Sequence, residues 1–257
     1  MITITLKDGS KKKYEKNITV IDVAKDISEG FARNVISASF NGTTVETSTH
    51  LNKNGSLELY TWDDNEGKKA FWHSSSHVLA QALEELYPGI KLTIGPAIKN
   101  GFYYDVDLND YVISDKDFDK IESKIIDISR GKHDFKMRVV SKKDAINYYN
   151  NISNEYKTEL INDLNDEEIT FCDHSNFTDL CKGGHIPNTS IIKAVKITNV
   201  AGAYWRADEK NKQLTRVYGI SFPKQKLLSE YILNVEEAKK RDHRIIGKKL
   251  NLFTFSN

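Results

Sequence analysis

Apolar and polar positions alternate, then repeat at helical spacing, in a sequence that divides the chain into short elements. ITITL at 2–6 alternates, Asp8-Gly9 offers a tight turn, and KKKYEK reads as the returning strand. In VIDVAKDI the apolar positions Val20, Val23, Ala24 and Ile27 fall on one helical face, with Thr19 placed to cap the helix. VISASF, a turn at Asn41-Gly42 and SLELY supply further strands. Two strands, a helix and more strands is the order of a β-grasp unit. About 60 residues suffice for such a unit to fold alone, with modest stability.

TWDDNEGKKAF is polar and carries a glycine, so a boundary is placed near residue 62. Beyond it VLAQALEELYPG is helical and is stopped by Pro88-Gly89. KLTIGPAIKNGFYYDVDL reads as two strands around Asn100-Gly101. Residues 115–130 form an amphipathic helix with Phe118, Ile121, Ile125 and Ile128 inward, and DAINYYN and YKTELINDL are shorter helices. ITFCDHSNFTDLCKGGHIP is strand, loop and turn. SIIKAVKITNVAGAYW and QLTRVYGISF are paired strands, and the end from KQKLLSE to NLF is one long charged helix. The chain has no internal repeat and no low-complexity block.

Composition narrows the class. With 257 residues, 39% of them hydrophobic, the chain can bury real cores. Lys+Arg is 37 against Asp+Glu 36, so a nucleic-acid partner would have to be met by local patches rather than by a global cationic field. Two cysteines make no disulfide framework. The first residues, MITITLKDGSKKK, lack the apolar core of a signal peptide, and no window reaches the roughly 18 apolar residues of a membrane span. A cytoplasmic protein is expected.

The chemistry concentrates in HSSSH at 73–77, whose histidines share a face if they are helical. At about 100° per residue, His73, His77, Ala80 and Glu84 fall in one arc, with Leu79, Ala82, Leu83 and Leu86 opposite. The pattern predicts imidazoles turned away from the apolar core; plain solvent exposure is the alternative to a site. Cys181-Lys182-Gly183-Gly184-His185 suggests a tight turn aiming Cys181 and His185 at one point. By residue type the two pairs could make a tetrahedral zinc set, or they could be two unrelated local pairs. Cys172, within the apolar run ITFC, reads as a buried structural thiol, and its pairing with His174 as weak. Tyr204, Trp205, Arg206, Arg216 and Tyr218 interleave aromatics with cations. That suits phosphate contact and base stacking, or equally a sheet with alternating faces.

HSSSHVLAQALEELYPG, IGPAIKNGFYYDVDL, FTDLCKGGHIPNT, AGAYWRADEKNKQLTRVYG and RDHRIIGKKLNLF occur in this order and spacing. Together they resemble the amino-terminal half of a bacterial-type threonyl-tRNA synthetase, over nearly the whole chain. The resemblance implies an α+β fold. A TGS β-grasp domain would occupy 1–62, and an editing domain shared more distantly with alanyl-tRNA synthetase 63–224. Residues 225–257 would form a linker helix towards a class II catalytic domain. That domain is not within these residues, so neither ATP binding nor threonine activation is expected.

The implied activity is hydrolysis of the ester in mischarged Ser-tRNA(Thr). Serine is threonine less a methyl group, and such a difference gives only about 1–3 kcal/mol of discrimination, so a second sieve is needed. The resemblance assigns His73 to proton transfer or to positioning the terminal ribose, with His77, Cys181 and His185 completing the pocket. Lys157 would hold water or the carbonyl oxygen, Asp179 would pair with the substrate α-ammonium, and Tyr104 and Gly95 would line the substrate. Tyr204, Arg206 and Arg216 would contact tRNA. No metal or other cofactor is expected here, the family's zinc being in the catalytic domain. The alternative is zinc on His73, His77, Cys181 and His185, as in alanyl-type relatives.

Three positions depart from the family pattern: Lys182 stands for the usual Arg, Gly184 for Pro and Ala207 for Gly. Lys keeps the charge but loses the guanidinium fork, and Gly184 is expected to loosen a turn that Pro would stiffen. Activity is expected to survive. The expected partners are tRNA(Thr), above all its aminoacylated 3′ end, and the synthetase's own catalytic domain, with no membrane. A monomer is expected for these residues and a homodimer for the full-length enzyme. The rival readings are a non-catalytic tRNA-binding piece and a zinc-dependent, alanyl-type trans-editing deacylase. The TGS unit and RDHRIIGKK argue against the latter.

Overall fold

The computed structural model describes residues 1–241. The first unit runs β1 (Ile2–Leu6), β2 (Lys11–Tyr14), β3 (Ile18–Thr19), α1 (Val20–Ile27), α2 (Glu29–Ala32), β4 (Ser37–Phe40), β5 (Thr43–Val45), β6 (His50–Leu51) and β7 (Gly55–Tyr60). Its main sheet has the order β2-β1-β7-β4-β5. β1 and β7 are parallel and the other neighbours antiparallel, as a hairpin, a crossover helix and a second hairpin require. The Thr19 hydroxyl accepts from the Asp22 N–H at 3.2 Å, so the cap forms where the sequence put it. Val20 and Val23 then lie against Ile2, Ile4, Ala38 and Leu57 in the core of this unit.

The chain continues through α3 (Asn65–Leu86), β8 (Lys91–Leu92), β9 (Ala97–Ile98), β10 (Gly101–Asp107), α4 (Phe118–Arg130), β11 (Lys136–Ser141), α5 (Lys142–Asn151) and α6 (Glu155–Asn162). It closes with β12 (Glu168–His174), β13 (Phe177–Leu180), β14 (Ala194–Tyr204), β15 (Gln213–Phe222) and α7 (Gln225–Lys240). A sheet of order β14-β15-β10-β8, with β9 beside β10, carries α3 and α4 on its apolar face. Leu79 and Leu83 of α3 and Ile121 and Ile125 of α4 are fully buried there with Phe102, Val106 and Val217. A second sheet, β11-β12-β13, packs α5 and α6 through Ala145, Tyr149, Ile161, Ile169 and Phe171. The whole is α+β, as expected.

Two differences from the sequence expectation have physical causes. β11 was not anticipated, because it is an edge strand whose side chains are mostly exposed and so lacks a clear apolar alternation. The polar stretch after residue 62 is no open linker. Trp62 stacks edge-on against Phe71, Trp72 and Phe222, with ring centroids 4.8, 5.9 and 5.6 Å away. α3 begins within that stretch, at Asn65, eight residues before His73. The charged terminal helix is present as α7, and its expected continuation to residue 257 lies outside the described residues. No helix among the described residues is long and apolar enough to cross a membrane.

Candidate active site

The centre of α3 is polar and buried at once. Ser74, Ser75 and Ser76 have no exposed surface. Each hydroxyl turns back on the helix: Ser74 donates to the Ala70 carbonyl at 2.7 Å, Ser75 to Phe71 at 2.9 Å, and Ser76 to His73 at 2.7 Å. Each also meets a neighbouring segment. Ser74 Oγ accepts from the Ile186 N–H at 2.9 Å, Ser75 Oγ lies 2.7 Å from Ser221 Oγ, and Ser76 donates to the Gly95 carbonyl at 2.5 Å. The serines therefore sit mid-helix, not at a helix start, and they fasten α3 to the loops around it.

Plain solvent exposure, the alternative to a site, does not hold: His73 is partly buried and His77 buried. His77 is 3% exposed. The face turned from the apolar core meets the loop after β13, so it is polar without being wet. Helical periodicity separates two faces but does not say what covers each.

That loop brings the second pair. Gly183 and Gly184 adopt φ of +99° and +89°, the left-handed region open to glycine, and fold Cys181 and His185 back on each other. Cys181 Sγ lies 3.0 Å from His73 Nε2 and 3.3 Å from His185 Nε2, and accepts from the Gly183 N–H at 3.4 Å. The three imidazole rings are within 4.8 to 5.1 Å of one another, centroid to centroid. The two pairs are one cluster, and the reading of unrelated local pairs is excluded. A proline could not take this Gly184 backbone, so the loop is set by its glycines rather than loosened by them.

A second group adjoins it. Asp179, 2% exposed, accepts from Tyr104 Oη at 2.7 Å and from the Leu180 N–H at 2.8 Å, and is ion-paired with Lys157, itself 3% exposed. His77 Nδ1 lies 3.1 Å from Asp179 Oδ2, in charge contact but off the line of a hydrogen bond. Lys157 is carried in by the first turn of α6, whose N-cap Asn154 accepts from the Lys157 N–H at 3.1 Å. Gly95 is packed on Tyr104: a Cβ there would stand 2.1 Å from the ring. All eight residues expected at the site from the resemblance thus come together. His73, His77, Lys157, Asp179, Cys181 and Gly95 border a cavity of about 800 Å³.

The charges follow from this packing. Burial pushes the Asp179 carboxyl up, but the Lys157 ammonium and His77 outweigh it and hold it well below the usual carboxylate range. Burial also opposes ionisation of Cys181 and His185, yet the thiol is held well below its ordinary value by His77, His185 and His73, and the His185 ring well above its own by the cysteines and Glu46. His73 is pushed down by burial, against the pull of Cys181. His73, with its basicity lowered by burial, borders the same cavity as the Asp179 carboxylate and the Lys157 side chain.

The remaining candidates lie elsewhere. Arg216 grips Asp105 with both arms, at 2.6 and 2.7 Å, and its guanidinium stacks 3.9 Å over Tyr103. Arg206 is paired with Glu159 at 2.7 Å and with Asp163, both on α6. Tyr204 is 44% exposed. The two cations expected to meet tRNA already hold carboxylate partners within the fold. Cys172 is buried, as expected, with Sγ 3.6 Å from His185 Nδ1. His174 packs on Phe135 and Phe177 rather than pairing with Cys172. One contact had no signal in the sequence: Glu46, of the first unit, lies 3.4 Å from His185 Nδ1.

The donor set fits a zinc ion by residue type. His73, His77, Cys181 and His185 each offer an atom, all within 4.8 Å of one another, and neither ring nitrogen of His77 has a hydrogen-bond partner. These four would hold such an ion.

Residues 2–61 match the TGS domain, and residues 169–218 match the threonyl and alanyl tRNA synthetase second additional domain. The chain has the domain pair of an aminoacyl-tRNA synthetase's editing-type region. It is 70% identical to the threonine–tRNA ligase of Flavobacterium johnsoniae over 256 residues, covering 100% of this chain and 39% of that protein. The enzymes of Flavobacterium psychrophilum and Cytophaga hutchinsonii match all of this chain at 67% and 54% identity, over 39% and 40% of their lengths. The chain thus spans about two fifths of the length of these relatives, and over that span it carries a TGS domain and a threonyl and alanyl tRNA synthetase second additional domain.

Proposed function

We propose that these residues hydrolyse the ester of mischarged Ser-tRNA(Thr), releasing serine and tRNA(Thr), as the editing part of a cytoplasmic threonyl-tRNA synthetase. The observation that carries this reading is the convergence of the His73 imidazole with the buried Lys157–Asp179 ion pair on one cavity. Ester hydrolysis needs a base and a charge partner for the oxyanion, and holding the aminoacyl group needs an anion for its ammonium. Asp179 holds the α-ammonium of the aminoacyl group. Tyr104 and Gly95 form the wall behind it. Water attacks the carbonyl carbon and gives its proton to His73 Nδ1 or Nε2. The carbonyl oxygen becomes an oxyanion beside Lys157. The intermediate collapses, the bond to the ribose oxygen breaks, and that oxygen takes the proton from His73. Thr in place of Ser adds a methyl against the same wall, a difference of about 1–3 kcal/mol in binding.

In this reading His77, Cys181 and His185 shape the pocket and no metal is required. The second reading rests on the four donors: zinc held there would supply a Lewis acid for the ester carbonyl and for water. Metal analysis of the purified protein separates them, since stoichiometric zinc that EDTA removes together with activity would overturn the metal-free assignment.

The function is tested with Ser-tRNA(Thr) and Thr-tRNA(Thr) as parallel substrates. Serine should be released faster than threonine, and His73→Ala should lower kcat by about 10²–10⁴-fold. Equal release of the two amino acids would refute the editing function, and an unchanged rate in His73→Ala would refute the role of that residue.

A further inference from the structure

The loop that carries Cys181 and His185 is held from outside its own domain. Glu46 follows β5 of the first unit, 138 residues away in sequence, and its Oε1 accepts from the Gly184 N–H at 2.9 Å. The same oxygen lies 3.4 Å from His185 Nδ1. The His185 ring is fully buried, stacked at 7° on Phe135, and presents its other nitrogen to Cys181. The fit is close: a Cβ on Gly183 would stand 3.0 Å from Glu46 Oε1, and one on Gly184 3.2 Å from Thr44.

We propose that Glu46 is a positioning residue of the hydrolytic pocket, by which the TGS domain fixes the Cys181–His185 loop and orients the His185 ring. A carboxylate against one ring nitrogen holds the ring in one orientation, so the other nitrogen stays aimed at Cys181 Sγ. The first domain is then part of the site's framework. Loss of Glu46 frees the Gly184 N–H and the ring together. This rests on the hydrolytic reading of the pocket for its effect on rate, but not for its effect on His185.

The test compares Glu46→Ala with Glu46→Gln in the whole chain. In the alanine variant kcat for serine release should fall at least about 10-fold with KM within about 2-fold, because the substrate contacts are elsewhere. Gln keeps an oxygen that can accept from Gly184, and should restore kcat to within about 3-fold of the parent. Ring-nitrogen NMR of ¹⁵N-histidine protein, with the His185 signals assigned by His185→Gln, should show them moved in Glu46→Ala and near the parent's in Glu46→Gln. Unmoved His185 signals in Glu46→Ala would overturn the proposal even if the parent protein proved to have no hydrolase activity. An unchanged kcat in an active protein, or a rise in KM alone, would overturn it too. Should Glu46→Ala fail to fold, a kcat for Glu46→Gln equal to the parent's supports the proposal, and a loss of 10-fold or more overturns it.

Discussion

Asp179 and Lys157 give the sharpest energetic test, because both are almost wholly removed from solvent, at 2% and 3% exposure. Asp179→Ala leaves the Lys157 ammonium with the Tyr104 hydroxyl, 3.3 Å away, as its remaining hydrogen-bond partner. At a separation of about 3 Å and an effective dielectric constant of about 20, the lost attraction is about 5 kcal/mol. Measured losses for breaking a buried pair, about 3–5 kcal/mol, agree. That is a large part of the roughly 5–15 kcal/mol that holds a domain folded. Replacing both partners with uncharged groups, Lys157→Met with Asp179→Ala, removes the unpaired charge and should return stability to within about 1–2 kcal/mol of the parent. The coupling between the two sites should then be at least about 2 kcal/mol. Urea unfolding followed by circular dichroism at neutral pH measures all four corners of the cycle, and serine release should be abolished in all three variants. A cost below about 1 kcal/mol for Asp179→Ala, or a double-variant cost equal to the sum of the singles, would refute the buried-pair argument.

Three further outcomes follow from other contacts. His174 has both ring nitrogens buried without partners, and burial pushes its pKa from 6.5 down to about 3. The unfolded chain binds a proton that the folded chain refuses. Its contribution is therefore whole above about pH 6.5 and falls by up to about 1.4 kcal/mol per pH unit as the pH drops towards 3. His174→Leu should flatten the fall in urea midpoint between pH 6.5 and 5, and parallel curves would refute this. Gly95→Ala should push the Tyr104 ring off Asp179, lowering kcat at least about 10-fold and costing about 1–3 kcal/mol in stability, read by the same assays. Ala207 sits at φ +57°, a region unfavourable for any residue with a Cβ, so Ala207→Gly should raise stability by about 1 kcal/mol in thermal or urea unfolding. An unchanged midpoint would mean that the strain is relieved elsewhere.

The sequence by itself determined the local elements and the inventory of the site. Capping at Thr19, the turn at Asn41-Gly42, the stop after Leu86 and the inward face of α4 act within a few residues, and each formed as read. The i, i+4 spacing of His73 and His77, and of Cys181 and His185, likewise fixed which side chains could converge. Tertiary structure decided what those groups became. It closed a loop over the polar face of α3, so HSSSH is interior rather than wet. It supplied Asp105, Glu159 and Asp163 to arginines that looked free for phosphate. It brought Glu46 to Gly184 across 138 residues, a contact with no periodicity or motif to announce it. Periodicity reports how a segment divides into faces, because backbone geometry repeats every few residues. What covers each face, and therefore its dielectric and its charge partners, is set by segments far along the chain, and there the chemistry of His73, Asp179 and Cys181 is decided.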